Sequence, residues 1–371
     1  MTYREDLAKV IADVVEPAAE QVDREGKFPR DGVTALGSAG ILGLTVPREH
    51  GGRGLGLAEA ADAVEQVAQA CGSTAMVLMM HYAGTAVLAA HGPAGTLAEI
   101  AAGNHLTTLA FSETGSRSHF WAPVSSATAD GDSVRLDARK SWVTSAGQAD
   151  SYVWSSRPLA VDGPMTLWLV PSTATGLSIP SAFDGLGLRG NASSPVTAEA
   201  VRVPASSRLG EDGAGLDVAF ATALPFFLVL NAAYGVGLME AVIARTAAHL
   251  SGTRLVHLNQ TLAEQPAARA GLARMRLTAD QARTLLNDAI AALGAGRQDA
   301  QLRLLEVKAA SAEAAIAVTD LAMTVCGGSA FRKDLGIERR FRDSRAARVM
   351  APTTEALHDF IGRALTGLPL M

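Results

Sequence analysis

A loop of small hydroxyl residues and a glycine follows a predicted strand near residue 110. The segment reads Leu109-Ala-Phe-Ser-Glu-Thr-Gly-Ser-Arg-Ser118. Such a loop presents backbone N–H groups and hydroxyls, which suit the carbonyls of a planar heterocycle or a phosphate. This pattern predicts a ligand-binding loop at the end of the strand.

A second segment joins an aromatic ring to a hydroxyl and reads Lys140-Ser-Trp-Val-Thr-Ser-Ala-Gly-Gln-Ala-Asp150. Trp142 and Thr144 are two residues apart, so a regular strand would place both on one face. An aromatic face beside a hydroxyl can hold a flat ring system. The two segments together indicate a site for a planar ligand.

Two further stretches carry glycine or charge at helix boundaries. Cys326-Gly-Gly-Ser-Ala-Phe331 lies between predicted helices, and Arg342-Asp343 precedes Ala351-Pro-Thr-Thr-Glu355. Taken alone, each of the four segments described so far is more typical of an ordinary structural feature, namely a turn, a core tryptophan or a helix cap. The sequence lacks GxxxxGK[ST], HExxH and GxSxG motifs, and no pair of its 8 histidines has metal-ligand spacing. We therefore predict no metal site.

Three regions must position these segments. Residues 1–106 carry apolar residues at helical spacing and predict an N-terminal helical domain. Residues 107–212 lose that period and predict a middle β-barrel or sandwich domain. Residues 213–371 regain it and predict a C-terminal four-helix bundle, so the expected fold class is α+β and multidomain.

The elements expected within the last two regions have definite bounds. The predicted strands are Thr107–Phe111, Ser133–Leu136, Ser141–Thr144, Ser151–Ser155, Thr166–Val170 and Val196–Val203. The predicted long helices span about 215–250, 261–295, 299–326 and 352–366.

Composition excludes several classes of protein. The 371 residues include 32 Lys and Arg against 37 Asp and Glu, and a net charge of -5 disfavours nucleic-acid binding. Only 2 cysteines are present, which excludes a disulfide scaffold and fits a reducing compartment. No apolar run approaches the ~18 residues of a membrane span, and the first residues lack a secretory signal. The sequence thus predicts a soluble, cytoplasmic protein with no nucleic-acid or membrane partner.

Five ordered segments resemble the acyl-CoA dehydrogenases, and the resemblance covers nearly the whole chain. Phe111-Ser-Glu-Thr-Gly115 is similar to the family's T-E-P-x-x-G-S loop, and Lys140–Asp150 to K-x-W-I-T-N-x-x-x-A-D. The other matches are Ile41–Pro47 with Gly51-Gly52, Leu186–Gly190 leading to Val201–Pro204 and Leu209-Gly210, and Cys326–Arg363.

The resemblance implies FAD held between the β domain and the C-terminal bundle, usually in a homotetramer. In such enzymes a carboxylate takes the α-proton of an acyl thioester while a hydride leaves the β-carbon for the flavin. An electron-transfer protein, a reductase or O₂ would exchange electrons with the flavin. Positions that match the family's FAD contacts are Leu109, Phe111, Ser112, Trp142, Thr144, Gly328, Thr353 and Glu355. Ser118 matches a substrate-binding position.

The sequence departs from the family at the catalytic base. The usual Glu aligns with Ala351, and the alternative position on the first long helix of the bundle aligns with Phe227. Glu355 and His119 are the remaining candidates, and a buried His beside a flavin can exchange protons near neutral pH. The catalytic residue is thus left open.

The residues at the positions where the family binds CoA and FAD phosphate differ as well. The usual Asp and Arg of that helix, which bind CoA in the family, align with Pro225 and Leu228. The family's Arg that reaches the FAD phosphate across the subunit interface has no clean match, since Arg254 is offset by one. In the flavin loop, Arg117 replaces a Gly and His119 an Asp.

These departures leave three hypotheses. The first is α,β-dehydrogenation of an acyl thioester, carried by CoA or by a carrier protein, with an unconventional base. The second is a flavin-dependent monooxygenase or N-hydroxylase on the same fold, which needs no carboxylate to take an α-proton. The third is a base-lacking subunit of a hetero-oligomeric dehydrogenase.

Overall fold

The computed structural model describes residues 2–116 and 119–370 of the chain. Its first hundred residues are largely helical, as predicted, and Leu7, Val15 and Val22 place an apolar side chain in the core about every two turns. A π-helical turn, Ile11–Val15, joins the first two helices. The helices are α1 (Tyr3–Val10), α2 (Glu16–Glu25), α3 (Arg30–Ser38), α4 (Leu57–Ala70), α5 (Gly72–His91) and α6 (Ala94–Ala101).

The middle region forms two four-stranded sheets, ordered β1-β4-β5-β8 and β2-β3-β7-β6. Strands β1 and β4 pair in parallel, and the other neighbours pair antiparallel. The strands are β1 (Thr107–Ala110), β2 (Ser126–Asp130), β3 (Ser133–Val143), β4 (Ser151–Ser156), β5 (Thr166–Pro171), β6 (Leu177–Ser178), β7 (Ser194–Pro204) and β8 (Arg208–Leu209).

Two strand predictions differ from the structure. The segments predicted at 133–136 and 141–144 form one strand, β3, whose register against β7 shifts at two irregular points. Strand β2 was not predicted because its residues are small, polar and mostly exposed. Pairing with β3, in which Ser126 lies opposite Asp137, is what makes it extended.

The last region is helical, with one short hairpin. Its elements are α7 (Gly215–Ala221), α8 (Ala223–Gly252), β9 (Arg254–Leu255), β10 (Gln260–Thr261), α9 (Pro266–Gly294), α10 (Ala300–Cys326), α11 (Ile337–Ser344), α12 (Ala346–Val349) and α13 (Thr354–Thr366). The four predicted helices are present, and the first is divided at Thr222. Helix α11 was not predicted, because its charged residues, among them the buried Arg340 and Asp343, do not follow an apolar period.

The chain divides into two compact units. The first contains residues 1–63, 73–185 and 189–227, and the second contains residues 64–72, 186–188 and 228–371. The domain boundaries expected at 106/107 and 212/213 stay predictions.

Three helical segments are long and apolar enough to cross a membrane by length and composition, so the expectation of no such run was wrong. Alanine and leucine keep the mean hydropathy high although Gly, Ser and Thr interrupt the runs. In Gly72–His91 and Ala223–Gly252, 83% of the apolar window is buried inside the protein, which is typical of core helices. In Ala300–Phe331 only 33% of that window is buried.

His81, on α5, is fully buried and is hydrogen-bonded to the first residue of β1. Its Nδ1 accepts a hydrogen bond from the backbone N–H of Thr107 at 3.2 Å, and its Nε2 donates to the carbonyl of Leu42 at 3.1 Å. This pair of contacts requires the neutral ring with its proton on Nε2. A second proton would remove the acceptor that holds Thr107.

We expect the free energy of unfolding to fall as the pH drops from about 6.5 towards 4. Burial lowers the pKa of His81 to about 4 from its ordinary 6.5, so the unfolded chain binds the proton first. The loss across this window is about 3 kcal/mol. Urea unfolding at a series of pH values checks this, with His81→Gln as the comparison. Identical pH slopes for the wild type and the variant would contradict the prediction.

Candidate active site

The loop after β1 lies alongside β3 and joins the two segments that the sequence singled out. The backbone N–H of Ser141 donates to the carbonyl of Ser112 at 2.9 Å, and that of Thr114 donates to Arg139 at 3.0 Å. Between them, Glu113 pairs with Lys140 as an isolated bridge. Residues 112–114 and 139–141 are therefore paired side by side within the β region.

A buried ion pair holds this arrangement. The ammonium of Lys140 donates to Glu113 Oε1 at 2.5 Å and to the carbonyl and hydroxyl of Ser155 at 2.7 and 2.9 Å. The other carboxylate oxygen of Glu113 accepts from the backbone N–H groups of Val124 and Ser125 at 2.6 and 2.9 Å. Both side chains are fully buried, so the pair ties the two ends of the loop, at 113 and at 124–125, to β3 and β4.

Electrostatics keep this pair charged at neutral pH. Burial lowers the pKa of Lys140 to about 8, against the opposing pull of Glu113. Burial alone would raise the pKa of Glu113, but the Lys140 charge and the hydrogen bonds from Ser125 outweigh it, and that pKa lies below its ordinary value. Sequence reasoning missed this pair. The available signal was a lysine at an inward position of β3, in step with the buried Val134 and Leu136.

Trp142 projects from the end of β3 into solvent. It has a left-handed backbone (φ 57°) and is 72% exposed, whereas Thr144 is buried. The expectation that both occupy one face was wrong, because the register shift between Lys140 and Val143 interrupts the alternation. The Thr144 hydroxyl instead lies 3.1 Å from that of Ser193, and the Trp142 ring meets Phe183 edge-on at 6.5 Å.

The backbone around Trp142 is held in an uncommon conformation. Ser145 and Ala192 also have positive φ values, of 61° and 50°. Two hydrogen bonds join these turns, from the N–H of Ser145 to Asn191 at 2.9 Å and from the N–H of Ala146 to Ala192 at 3.1 Å. Left-handed residues other than glycine each cost about 1–3 kcal/mol and cluster at binding sites. An exposed indole next to turns that are held by these hydrogen bonds offers a suitable surface on which a flat ring can stack.

The remaining sequence-predicted residues of the loop occupy different environments. Leu109 and Phe111 are buried, and Phe111 stacks on Phe120 at 6.4 Å. His119 is exposed, which corrects the premise that it is a buried histidine; its Nδ1 lies 3.1 Å from the Ser116 carbonyl. Ser118 and Arg117 lie outside the described residues.

In the second unit, Lys308 holds the segment that contains Ala351. Its fully buried ammonium donates to the carbonyl of Met350 at 2.8 Å and to that of Pro352 at 2.7 Å. Burial lowers the pKa of Lys308 to about 7, and the nearby negative charge of Glu355 opposes that shift. Glu355 is exposed on the first turn of α13. The structure therefore places the exposed carboxylate of Glu355 near the ammonium that holds the Ala351 segment.

The other predicted positions of this unit carry no acid. Thr353 caps α13, since its hydroxyl accepts from the N–H of Ala356 at 3.3 Å. Gly328 is exposed and has open space where a Cβ would stand. Leu228 is fully buried and presents no polar group to a ligand. In the first unit, Phe227 is likewise buried.

Three family models match the chain in order. The model for the acyl-CoA dehydrogenase N-terminal domain matches residues 1–96, that for the middle domain residues 108–201, and that for the C-terminal domain residues 213–366.

Curated relatives agree with these matches. The mitochondrial short-chain specific acyl-CoA dehydrogenase of Bos taurus is 30% identical over 352 residues, covering 91% of this chain and 83% of that protein. The probable acyl-CoA dehydrogenase YngJ of Bacillus subtilis is 29% identical over 368 residues, covering 95% and 93%.

Solved structures share the fold. Butyryl-CoA dehydrogenase from Megasphaera elsdenii superposes with a TM-score of 0.91 at 21% identity, over 99% of each chain. The prolyl acyl carrier protein oxidase AnaB superposes with a TM-score of 0.88 at 21% identity, over 98% of each chain. The predicted succession of helical, β and helical regions is thus confirmed.

Proposed function

The chain belongs to the acyl-CoA dehydrogenase family of oxidoreductases, and from that membership we propose that it removes hydrogen from the α and β carbons of an acyl thioester. The observation that carries the proposal is the pairing of the loop at residues 112–114 with β3, which presents Trp142 beside it. Family members are FAD flavoproteins. FAD, when bound, supplies the two-electron acceptor for this chemistry.

The residues present suit that cofactor. The exposed indole of Trp142 offers a face for a flat ring, and the half-buried Ser112 offers a hydroxyl on the loop paired with β3, whereas the buried Thr144 hydroxyl lies against Ser193. Leu109 and Phe111 give the loop an apolar base. Gly328 is exposed and has open space where a Cβ would stand, and Thr353 and Glu355 match the family's remaining FAD contacts.

Loss of a proton from the α carbon needs a base, and the position of Glu355 supports it for that role. It is exposed on the turn after the Ala351 segment, and the positive charges of Lys308 and Arg348 lie in its electrostatic field. We propose Glu355 as that base, ahead of His119.

The thioester carrier and the electron acceptor are further parts of the proposal. Leu228 offers no charge to grip CoA, and one structural neighbour is an oxidase for a carrier-protein-bound prolyl group, so a carrier protein is as suitable as CoA. Another neighbour comes from a study of an electron-transferring flavoprotein of Acidaminococcus fermentans, which supports a flavoprotein partner as acceptor. Helix α10 leaves apolar surface exposed, which a homotetramer would cover.

Anaerobic titration of the FAD-loaded protein with acyl thioesters tests the proposal. Bleaching of the visible flavin absorbance by a thioester of CoA or of a carrier protein is expected. Retained colour with every thioester would overturn the proposal. Coupled O₂ uptake with reduced flavin and product formation would then indicate a monooxygenase, and activity only with a co-purified homologue would indicate a base-lacking subunit.

Trp142→Ala is expected to weaken FAD binding by about tenfold to a hundredfold, because base–aromatic and ring-stacking contacts contribute about 1–3 kcal/mol. The free energy of unfolding of the apoprotein should change by less than about 0.5 kcal/mol, since the side chain is 72% exposed. Flavin fluorescence quenching measures the affinity, and Val124→Ala, another exposed apolar residue of the β region, is the control. Equal affinities for Trp142→Ala and the wild type would remove Trp142 from the site.

A further inference from the structure

Asn231 on α8 is a buried polar side chain with an unused hydrogen-bonding atom. It is 1% exposed, and its Oδ1 has no hydrogen-bond partner within residues 2–116 and 119–370. Leu228, one turn earlier on the same face of the helix, is fully buried and apolar. Buried amide oxygens are nearly always paired, so an unpaired one in an apolar helix face indicates a partner that the described residues do not supply.

The contacts of Asn231 place it beside the segment where the family carries its usual base. Its Nδ2 lies 3.8 Å from the sulfur of Met350, the residue before Ala351. A sulfur atom is a weak acceptor, so the amide group is held without being saturated.

Helix α10 also makes hydrogen bonds to α8 and to the segment around Ala351. The hydroxyl of Ser311 donates to the carbonyl of Ala232 at 3.0 Å, and Lys308, one turn earlier, donates to the carbonyls on both sides of Ala351. Hydrogen bonds thus connect helices α8 and α10 and the segment 350–352 into one group. The unpaired oxygen of Asn231 belongs to this group, beside the residue that precedes Ala351.

We infer that Asn231 is a specificity residue that selects acyl groups carrying a hydrogen-bond donor, such as a hydroxyl or an amine, over purely apolar acyl chains. This inference rests on the proposed acyl-thioester function. An apolar chain would leave Oδ1 unpaired in the complex, whereas an O–H or N–H donor would pair it. Sites built to pair a buried polar group discriminate against analogues that lack the donor.

The test compares thioesters that differ by one methyl-to-hydroxyl exchange. Binding of butyryl-CoA against 3-hydroxypropionyl-CoA, and of pentanoyl-CoA against 4-hydroxybutyryl-CoA, is measured by calorimetry with the FAD-loaded protein under anaerobic conditions. We expect Asn231→Leu to lower the preference for the hydroxylated member by about tenfold or more in at least one pair. The melting temperature should be unchanged or higher, because the variant has no unpaired oxygen.

Ser311→Ala is the matched control, since it removes a structural hydrogen bond of the same helix pair. It should lower the melting temperature and leave the preference between paired thioesters as in the wild type. A preference within twofold of the wild type in both pairs for Asn231→Leu would overturn the inference while leaving the proposed function intact. If none of the four CoA thioesters binds the wild type, the same four acyl groups are measured on a phosphopantetheine carrier protein, and failure there as well would overturn the proposed function, and this inference with it.

Discussion

Glu355→Gln is expected to slow flavin reduction by acyl thioesters about 10²–10⁴-fold, the usual contribution of a positioned general base. The amide keeps the size of the side chain and removes its ability to take the α-proton. Because Glu355 is exposed, the folded state should be retained. Single-turnover bleaching of the flavin under anaerobic conditions measures the rate of this step directly.

Asp359→Asn is the control, because Asp359 lies one turn further along α13 and pairs with Arg363 at 2.8 Å on the surface. It removes the same charge from the same helix and should change the rate by less than about threefold, as exposed ion pairs contribute little. A loss below tenfold for Glu355→Gln would exclude Glu355 as the base. His119→Asn would then be the next variant, since His119 is the other candidate.

Lys140→Met is expected to lower the free energy of unfolding by about 3–5 kcal/mol, because it leaves the carboxylate of Glu113 buried without its counter-charge. The loop that carries Ser112 should loosen with it, since Glu113 connects β3 to the N–H groups of Val124 and Ser125. Urea unfolding followed by tryptophan fluorescence reports on this region, because the Lys140 ammonium lies 5.1 Å from the ring centre of Trp154.

Two further variants separate the buried charge from the loss of packing. The double variant Glu113→Gln/Lys140→Met keeps an acceptor for both N–H groups and buries no charge, so it should regain at least about 2 kcal/mol. Arg135→Met breaks an exposed pair with Asp137 on the same strand and should cost less than about 1 kcal/mol. The single variant Glu113→Gln completes the comparison. If the double variant loses as much free energy of unfolding as Glu113→Gln and Lys140→Met added together, the two residues are not energetically coupled as described.

The sequence by itself was sufficient for the succession of helical and β regions and for the family. Helical periodicity marks the residues that each helix buries, and this information is local: α9 and α10 begin and end within a few residues of the predicted bounds. The absence of an acid at Ala351 and Phe227 is also a property of sequence alone, because no fold can supply a carboxylate that the chain lacks.

The sequence did not determine how those segments meet. The β-bulge that exposes Trp142 and buries Thr144 depends on the register of β3 against β7, which is set by a strand fifty residues away. The same holds for β2, whose small polar residues become a strand only through pairing with β3.

Burial and charge likewise required the tertiary structure. In the sequence, Lys140, Lys308 and Asn231 are ordinary polar residues, yet all three are buried in the structure. Their neighbours come from distant parts of the chain: Glu113 for Lys140, and Met350 for both Lys308 and Asn231. Whether a polar group is paired, shifted in its pKa or left with a free oxygen depends on those distant partners, and only the tertiary structure brings them together.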